Sequence, residues 1–322
     1  MNTGNSTLLR ALFQDNPMAL EGTRVWRRFL RTGGETGRAV NVVVIGLFSI
    51  LYLWLLGTIL HYGEDWSGGL LYLEAILLTL AVPASMYAAV SGERERLTWD
   101  SLLMTRLSPG QIVIGKLLWR VAFIGGILLL FLPLLLLCHF MPGHARPDST
   151  GYVVRDADYT LAQMGYAQAL LFSWALALAS FCLWVSTKTK RSITTLAVAT
   201  VSLLSFLVLV PMLTALFGGK CELLARDHDY STSYSYQARL ESGYAPLAVL
   251  STGLIHLNPF YQLYSLSYED DLFSTSSLKQ DAWRIWGLND VMPLIYFGAS
   301  GLFLLGAWRT LQTLEAPRRT LG

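Results

Sequence analysis

Residues 91–120 read SGERERLTWDSLLMTRLSPGQIVIGKLLWR, a charged stretch set between apolar runs at 69–90 and 117–140. Each flanking run is close to the ~20 residues that a helix needs to cross hydrocarbon, so the quoted stretch connects two membrane spans. Further runs of this kind at 39–60, 161–186, 193–217 and 289–308 bring the number to six. A composition 53% hydrophobic and 14% charged, with mean hydropathy +0.44, is that of a membrane protein and excludes an ordinary soluble enzyme. The net charge of +2 implies no nucleic-acid partner. Cys138, Cys182 and Cys221 are far apart without CxxC spacing, so they suggest neither a disulfide framework nor a zinc site.

Six spans place both termini on one side, and Lys and Arg say which. Segments assigned to the cytoplasm hold 17 Lys+Arg against 7 Asp+Glu, and those assigned outside hold 7 against 14. The short connection 187–192 carries Lys188, Lys190 and Arg191, whereas the loop after the first span carries Glu64 and Asp65. Both termini are expected in the cytoplasm. Residues 1–38 lack the apolar core and small-residue cleavage site of a signal peptide, so the first span is expected to be an uncleaved anchor.

The expected fold is an all-α membrane protein with six transmembrane helices, an N-terminal amphipathic interface helix, a cytoplasmic loop helix and a long external loop. Its divisions are 1–38 (N-terminal segment), 39–217 (spans one to five, with the loop 91–116), 218–288 (external loop), 289–308 (last span) and 309–322 (cytoplasmic tail). Asn16-Pro17 is a helix start. Beyond it Met18, Gly22, Val25, Trp26 and Phe29 share one face, while Arg24, Arg27, Arg28 and Arg31 take the other. This is the pattern of a helix lying in the membrane interface with its arginines toward anionic headgroups, or of a soluble helix packed on a partner.

The spans carry little chemistry. Gly165, Ala169, Ser173 and Ala177 form a small-residue seam suited to close helix approach. Glu74 is the acid within a span and a functional candidate on that ground, although its position about one turn below the outer surface favours a hydrated interfacial carboxylate. The loop 218–288 is too long to be structureless. Within it, 246–257 is apolar, too short to cross, and closed by Asn258-Pro259. It is expected to form a re-entrant or interfacial helix, or a buried helix of a small external domain.

The quoted stretch divides in two. After the mixed-charge turn of Glu93, Arg94, Glu95 and Arg96, Thr98 is placed to cap a short helix with Asp100 in its first turn. Leu97, Trp99, Leu102, Leu103 and Met104 make that helix more apolar than solvent exposure requires, so it is expected to dock. Ser108-Pro109-Gly110-Gln111 is a second start, a capping box with Pro at the first helical position, leading through Lys116 and Arg120 into the third span. A docking helix joined through one turn to a transmembrane helix could transmit movement. The same residues also suit an interfacial helix with Trp99 at headgroup level.

Glu93-x-Glu95-x-x-Thr98, Leu102-Leu103-x-Thr105-x-Leu107-Ser108 and Ile112 with Gly115-Lys116 resemble the cytoplasmic signature of ABC type-2 exporter permeases, the membrane subunits of ATP-driven exporters. The resemblance extends to the Asn16-Pro17 start, the six spans and the apolar external segment; Arg106 stands where many members have proline. It implies a multi-pass protein of a bacterial inner membrane in which the loop holds the coupling helix and two permease chains pair with two nucleotide-binding subunits. No GxxxxGK[ST] phosphate loop occurs in the sequence, so no cofactor is expected on this chain, and ATP and Mg belong to the partner ATPase. Glu93, Glu95 and Asp100 are candidates for pairing with basic groups on that partner. Trp99, Leu102 and Leu103 are candidates for its apolar groove, with Thr98 as the cap between them.

Rival functions have weaker support. Gly298-Ala299-Ser300-Gly301 matches a GxSG protease motif, but no histidine follows Ser300 to act as base. Cys138, His139, Met141 and His144 offer soft ligands suited to copper at one helix end. A membrane scaffold or assembly factor without transport is the remaining alternative. Few charges in the spans favour an apolar or amphipathic cargo, although Thr200, Ser202 and Ser205 supply hydroxyls that could line a polar path.

Overall fold

The computed structural model describes residues 35–62, 66–99, 108–140, 146–147, 153–154, 159–212, 257–267 and 288–319. The interface-helix residues Arg24, Trp26, Arg27 and Arg28, the loop residues Asp100, Leu102 and Leu103, and the apolar segment 246–256 lie outside them.

Helix α1 covers Glu35–Tyr62, α2 Ser67–Met86, α3 Ser91–Glu95 and α4 Pro109–Phe140. Helix α5 covers Leu161–Lys188 and α6 Ser192–Leu204, after which a π turn runs over Ser205–Leu209. A short helix α7, Pro259–Ser267, precedes the last, α8, Leu288–Arg319. Among the described residues five stretches are long and apolar enough to cross a membrane: Ser67–Glu95, Pro109–Phe140, Leu161–Lys188, Ser192–Met212 and Val291–Leu314. The protein is a multi-pass membrane protein. Helix α1 is 28 residues long with a shorter apolar stretch, Ser49–His61.

The described fold is helical, apart from one two-residue ladder in the loop after α4. Arg146–Pro147 (β1) and Val153–Val154 (β2) pair antiparallel, Arg146 opposite Val154 and Pro147 opposite Val153. Two residues a side give no periodicity to read in the sequence.

Helix α5 is the hub, packed by α8 along its length and by α2 and α4. Its start is a Thr160-x-x-Gln163 capping box: Thr160 Oγ1 accepts from the Gln163 amide at 3.3 Å, and Gln163 Oε1 accepts from the Thr160 amide at 2.7 Å. The α5–α8 contact is close. A Cβ added to Gly306 would stand 2.7 Å from Trp184 Nε1, so only glycine fits beside that ring. Ser180 and Ser300 join hydroxyls at 2.7 Å in the same interface. Ser300 is thus buried and engaged, and GASG is a packing feature. The small-residue seam is only half used: Ser173 and Ala177 are buried, while Gly165 and Ala169 are exposed.

The far end of the bundle adds a helix and corrects one expectation. Asn258-Pro259 opens a helix. The Asn258 side-chain oxygen accepts from the Phe260 amide at 3.0 Å, and Pro259 takes the first helical position. Helix α7 is held through its backbone, with Tyr72 donating to the Phe260 carbonyl at 3.5 Å, Tyr159 to Leu263 at 3.1 Å and Gln163 to Leu266 at 3.3 Å. Glu74 is not a hydrated interfacial carboxylate, because it is fully buried. Gln168 donates to its Oε2 at 2.7 Å, while Oε1 is buried without a hydrogen-bond partner. The packing of α7 against α2 and α5 excludes the water that an exposed helix end would have offered.

Candidate functional site

The best-defined polar site lies at the opposite end, where the loop after α2 meets the starts of α4 and α6 and the end of α5. Helix α3 is one turn long and closes with a Schellman pattern: the Thr98 amide donates to the Glu93 carbonyl at 3.0 Å and the Leu97 amide to Arg94 at 3.2 Å. That motif needs a left-handed residue, usually glycine, but here it is Leu97 at φ 58°. A leucine held there costs about 1–2 kcal/mol. Its side chain is 83% exposed, so no burial among the described residues offsets the strain.

Three contacts fix α3. Lys116, from the second turn of α4, pairs with Glu93 Oε1 at 2.6 Å, with side chains only 7% and 20% exposed. The Ser108 capping box sets the register of α4 for this contact. Ser108 Oγ accepts from the Gln111 amide at 3.3 Å, and Gln111 Oε1 accepts from the Ser108 amide at 2.8 Å. Glu95 crosses to α6, where its Oε2 accepts from the Ser192 amide at 3.1 Å. Helix α6 has no side-chain cap from its own preceding residue. Glu95 therefore supplies the anionic cap that an N-terminus favours. The Ser192 hydroxyl and amide, with Arg191 and Arg96 nearby, hold the Glu95 carboxyl below the usual carboxylate range.

The third contact is a chain of hydroxyls. Ser186 Oγ, in the last turn of α5, accepts from the amides of Val90 and Ser91, each at 3.0 Å. Thr195 donates to Ser91 Oγ at 3.0 Å and is joined to Thr189. Arg94 donates to the Thr189 carbonyl at 3.4 Å and lies 5.5 Å from the Trp99 ring centre. Partial burial lowers the Arg94 pKa from its ordinary value.

The structure thus brings Glu93, Glu95 and Trp99 together with Lys116, Ser186, Thr189, Ser192 and Thr195. Glu93 and Glu95 are engaged within the chain, and Trp99 is 8% exposed. Thr98 precedes a helical residue at 99, as its position as a cap requires, but its hydroxyl donates back to the Glu93 carbonyl at 3.2 Å. The hydroxyl residues between 186 and 195 are the part that sequence reading missed. Their signal is Ser and Thr clustered around the Lys and Arg of a short connection, where the charges alone stand out. Helix α3 is thus linked to α4 through an ion pair, to α6 through its cap and to α5 through Ser186.

Among the described residues no group of three or more His, Cys, Asp or Glu could hold a metal ion. Cys138 is fully buried, and Met141 and His144 lie outside the described residues.

No curated protein matches the chain. A family model described as "ABC-2 family transporter protein" (ABC2_membrane_2) matches residues 34–266, more than half of the chain, and the protein belongs to that family of membrane permeases of ABC transporters.

Proposed function

We propose that the chain is the permease subunit of an ATP-driven exporter, with 91–116 as the segment through which a separate ATPase subunit drives the spans. The observation that carries this reading is the convergence of Glu93–Lys116, Glu95–Ser192 and Ser186 on one-turn α3. A rigid loop tied to three spans is what a coupling element needs. ATP and Mg bind the partner chain. Because Glu93, Glu95 and Trp99 are used internally, their role is to hold the loop. Exposed Leu97, with Leu102, Leu103 and Asp100, is the surface offered to the ATPase.

In this reading the chain has six spans, with α1 as the first, and both termini are cytoplasmic in a bacterial inner membrane. The 1–38 segment lies at the interface, and a second permease chain completes the pathway. Helix α1 supports the pairing. Val42, Leu47, Ile50, Leu53 and Trp54 are each 58–68% exposed, an apolar face that a second chain or lipid must cover. The cargo is apolar or amphipathic, as the scarcity of charge in the spans favours.

The test is Leu103→Asp in vesicles holding both subunits. Cargo movement per ATP hydrolysed is expected to fall at least tenfold (about 1.4 kcal/mol of lost coupling) while both chains still insert. Normal coupling in this variant would count against the proposal.

A further inference from the structure

A cavity of about 430 Å³ lies between α5, the α6 helix with its π turn, and α8. Trp174 and Leu178 of α5 form its buried floor. Leu257, just before α7, roofs it and is fixed by Tyr296, whose hydroxyl donates to the Leu257 carbonyl at 2.8 Å. The half-exposed lining residues Ser202, Phe206, Ala299 and Phe303, with Ile295 at 37% exposure, stand on α6 and α8 and mark the mouth between these two helices.

The π turn shapes one wall. It sets Phe206 against the Trp174 ring, centroids 5.9 Å apart. Asn258 caps the same segment by donating to the Leu207 carbonyl at 3.4 Å. Such turns are maintained mostly where a site needs the altered register.

We infer that this cavity binds the terminal part of one acyl chain of a bilayer phospholipid. Depth is the first reason. Ser202 is ten residues into Ser192–Met212, or ~15 Å at 1.5 Å per residue, which is mid-depth in hydrocarbon ~30 Å thick. Only chain ends occupy that level. Polarity is the second reason, since among the described residues no Asp, Glu, Lys, Arg or His lines the cavity, the Tyr296 hydroxyl is already used, and Ser202 adds one further hydroxyl. A headgroup placed there would lose its hydration without compensation. Size is the third. The volume falls within the ~300–1,000 Å³ of ligand sites but is too small to hold a partner helix ~10 Å across. An unfilled void would forfeit the dispersion contacts of its aromatic lining. The inference rests on the membrane assignment and not on ATP coupling, so it stands or falls separately from the proposed function.

The test uses the full chain in phosphatidylcholine vesicles doped with phosphatidylcholine carrying a diazirine near the chain end. A second probe carries the diazirine next to the headgroup. After irradiation, adducts mapped by mass spectrometry are expected on Phe181, Phe206 and Phe303 at about fivefold the level on openly exposed Leu80 and Leu302, an enrichment equal to ~1 kcal/mol of preference. The headgroup-proximal probe is expected to miss the cavity. Ala299→Trp, which fills it, should abolish the enrichment, and the milder Ala177→Leu should reduce it, while Leu302→Trp should leave it unchanged. The wild-type map alone decides the matter if the filled variants fail to fold. Equal labelling of cavity and open faces would overturn the inference. So would cavity labelling that appears only on dilution of the protein in lipid, because a second copy would then be the usual occupant.

Discussion

The two ends of the helical bundle are held by different chemistry. At the loop end, side chain meets side chain or helix terminus across long sequence separations: Glu93 with Lys116, Glu95 with Ser192, Ser91 with Ser186 and Thr195. At the far end, beside the side-chain contact of Gln168 with Glu74, Tyr72, Tyr159, Gln163 and Tyr296 donate to backbone carbonyls of α7 and of Leu257. Contacts to a backbone leave the receiving side chains free to vary. Paired charges do not, and they concentrate the loop end's stability in a few residues. That difference suits a loop end whose arrangement transmits force and a far end that only needs to be sealed.

The comparison breaks most easily at the ion pair. Removing one partner leaves the other charge largely out of water, so Lys116→Ala or Glu93→Ala should each destabilise the detergent-solubilised protein by about 3 kcal/mol. Glu93→Leu with Lys116→Met should recover most of that loss, read as thermal midpoints in a double-mutant cycle. Gly306→Leu comes next, because the new side chain has no space beside Trp184; about 2 kcal/mol of overpacking should separate α5 from α8. Tyr159→Phe at the far end should cost only about 1 kcal/mol. Leu97→Gly should move the other way, stabilising by about 1 kcal/mol through relief of the left-handed leucine, and a neutral result would mean that the loop does not hold that strain.

The smallest effect concerns pH. Glu95 titrates below its ordinary value of 4.5 in the folded chain, so its cap on α6 is fully present above that value and lost as pH falls through the lower folded value. Hydrogen exchange in the first turn of α6 should accelerate on acidification in the wild type, and in Glu95→Gln it should be insensitive to pH over that window once corrected for intrinsic exchange.

Much of the fold was legible because membrane spans announce themselves by length and apolarity. Helix starts were legible where a cap was read as one: Ser108-x-x-Gln111 forms the expected box. The same Asn-Pro signal reads as a start at Asn16-Pro17 but, after the apolar run 246–257, as a stop at Asn258-Pro259, where α7 begins. Burial of Glu74 could not be read, because it depends on α7 and Gln168, 94 residues away in sequence. At the site, Glu93, Glu95 and Trp99 read in the sequence as contacts for a partner; in the structure Trp99 is buried, Glu93 is partly buried on Lys116, and the exposed Glu95 caps α6. A carboxylate in a charged loop looks the same in sequence whether its partner is Lys116 or another protein. Leu97 was hidden for a different reason, since nothing in a leucine codon position signals φ 58°.

The central claim, that this loop is where a separate ATPase acts, is tested most directly at the exposed strained residue. Leu97→Cys, carrying a short photoreactive crosslinker in intact membranes, should yield an adduct with a chain that bears a GxxxxGK[ST] phosphate loop, and Leu103→Asp should weaken that adduct. Adducts formed only with lipid or with a second copy of this chain would contradict it.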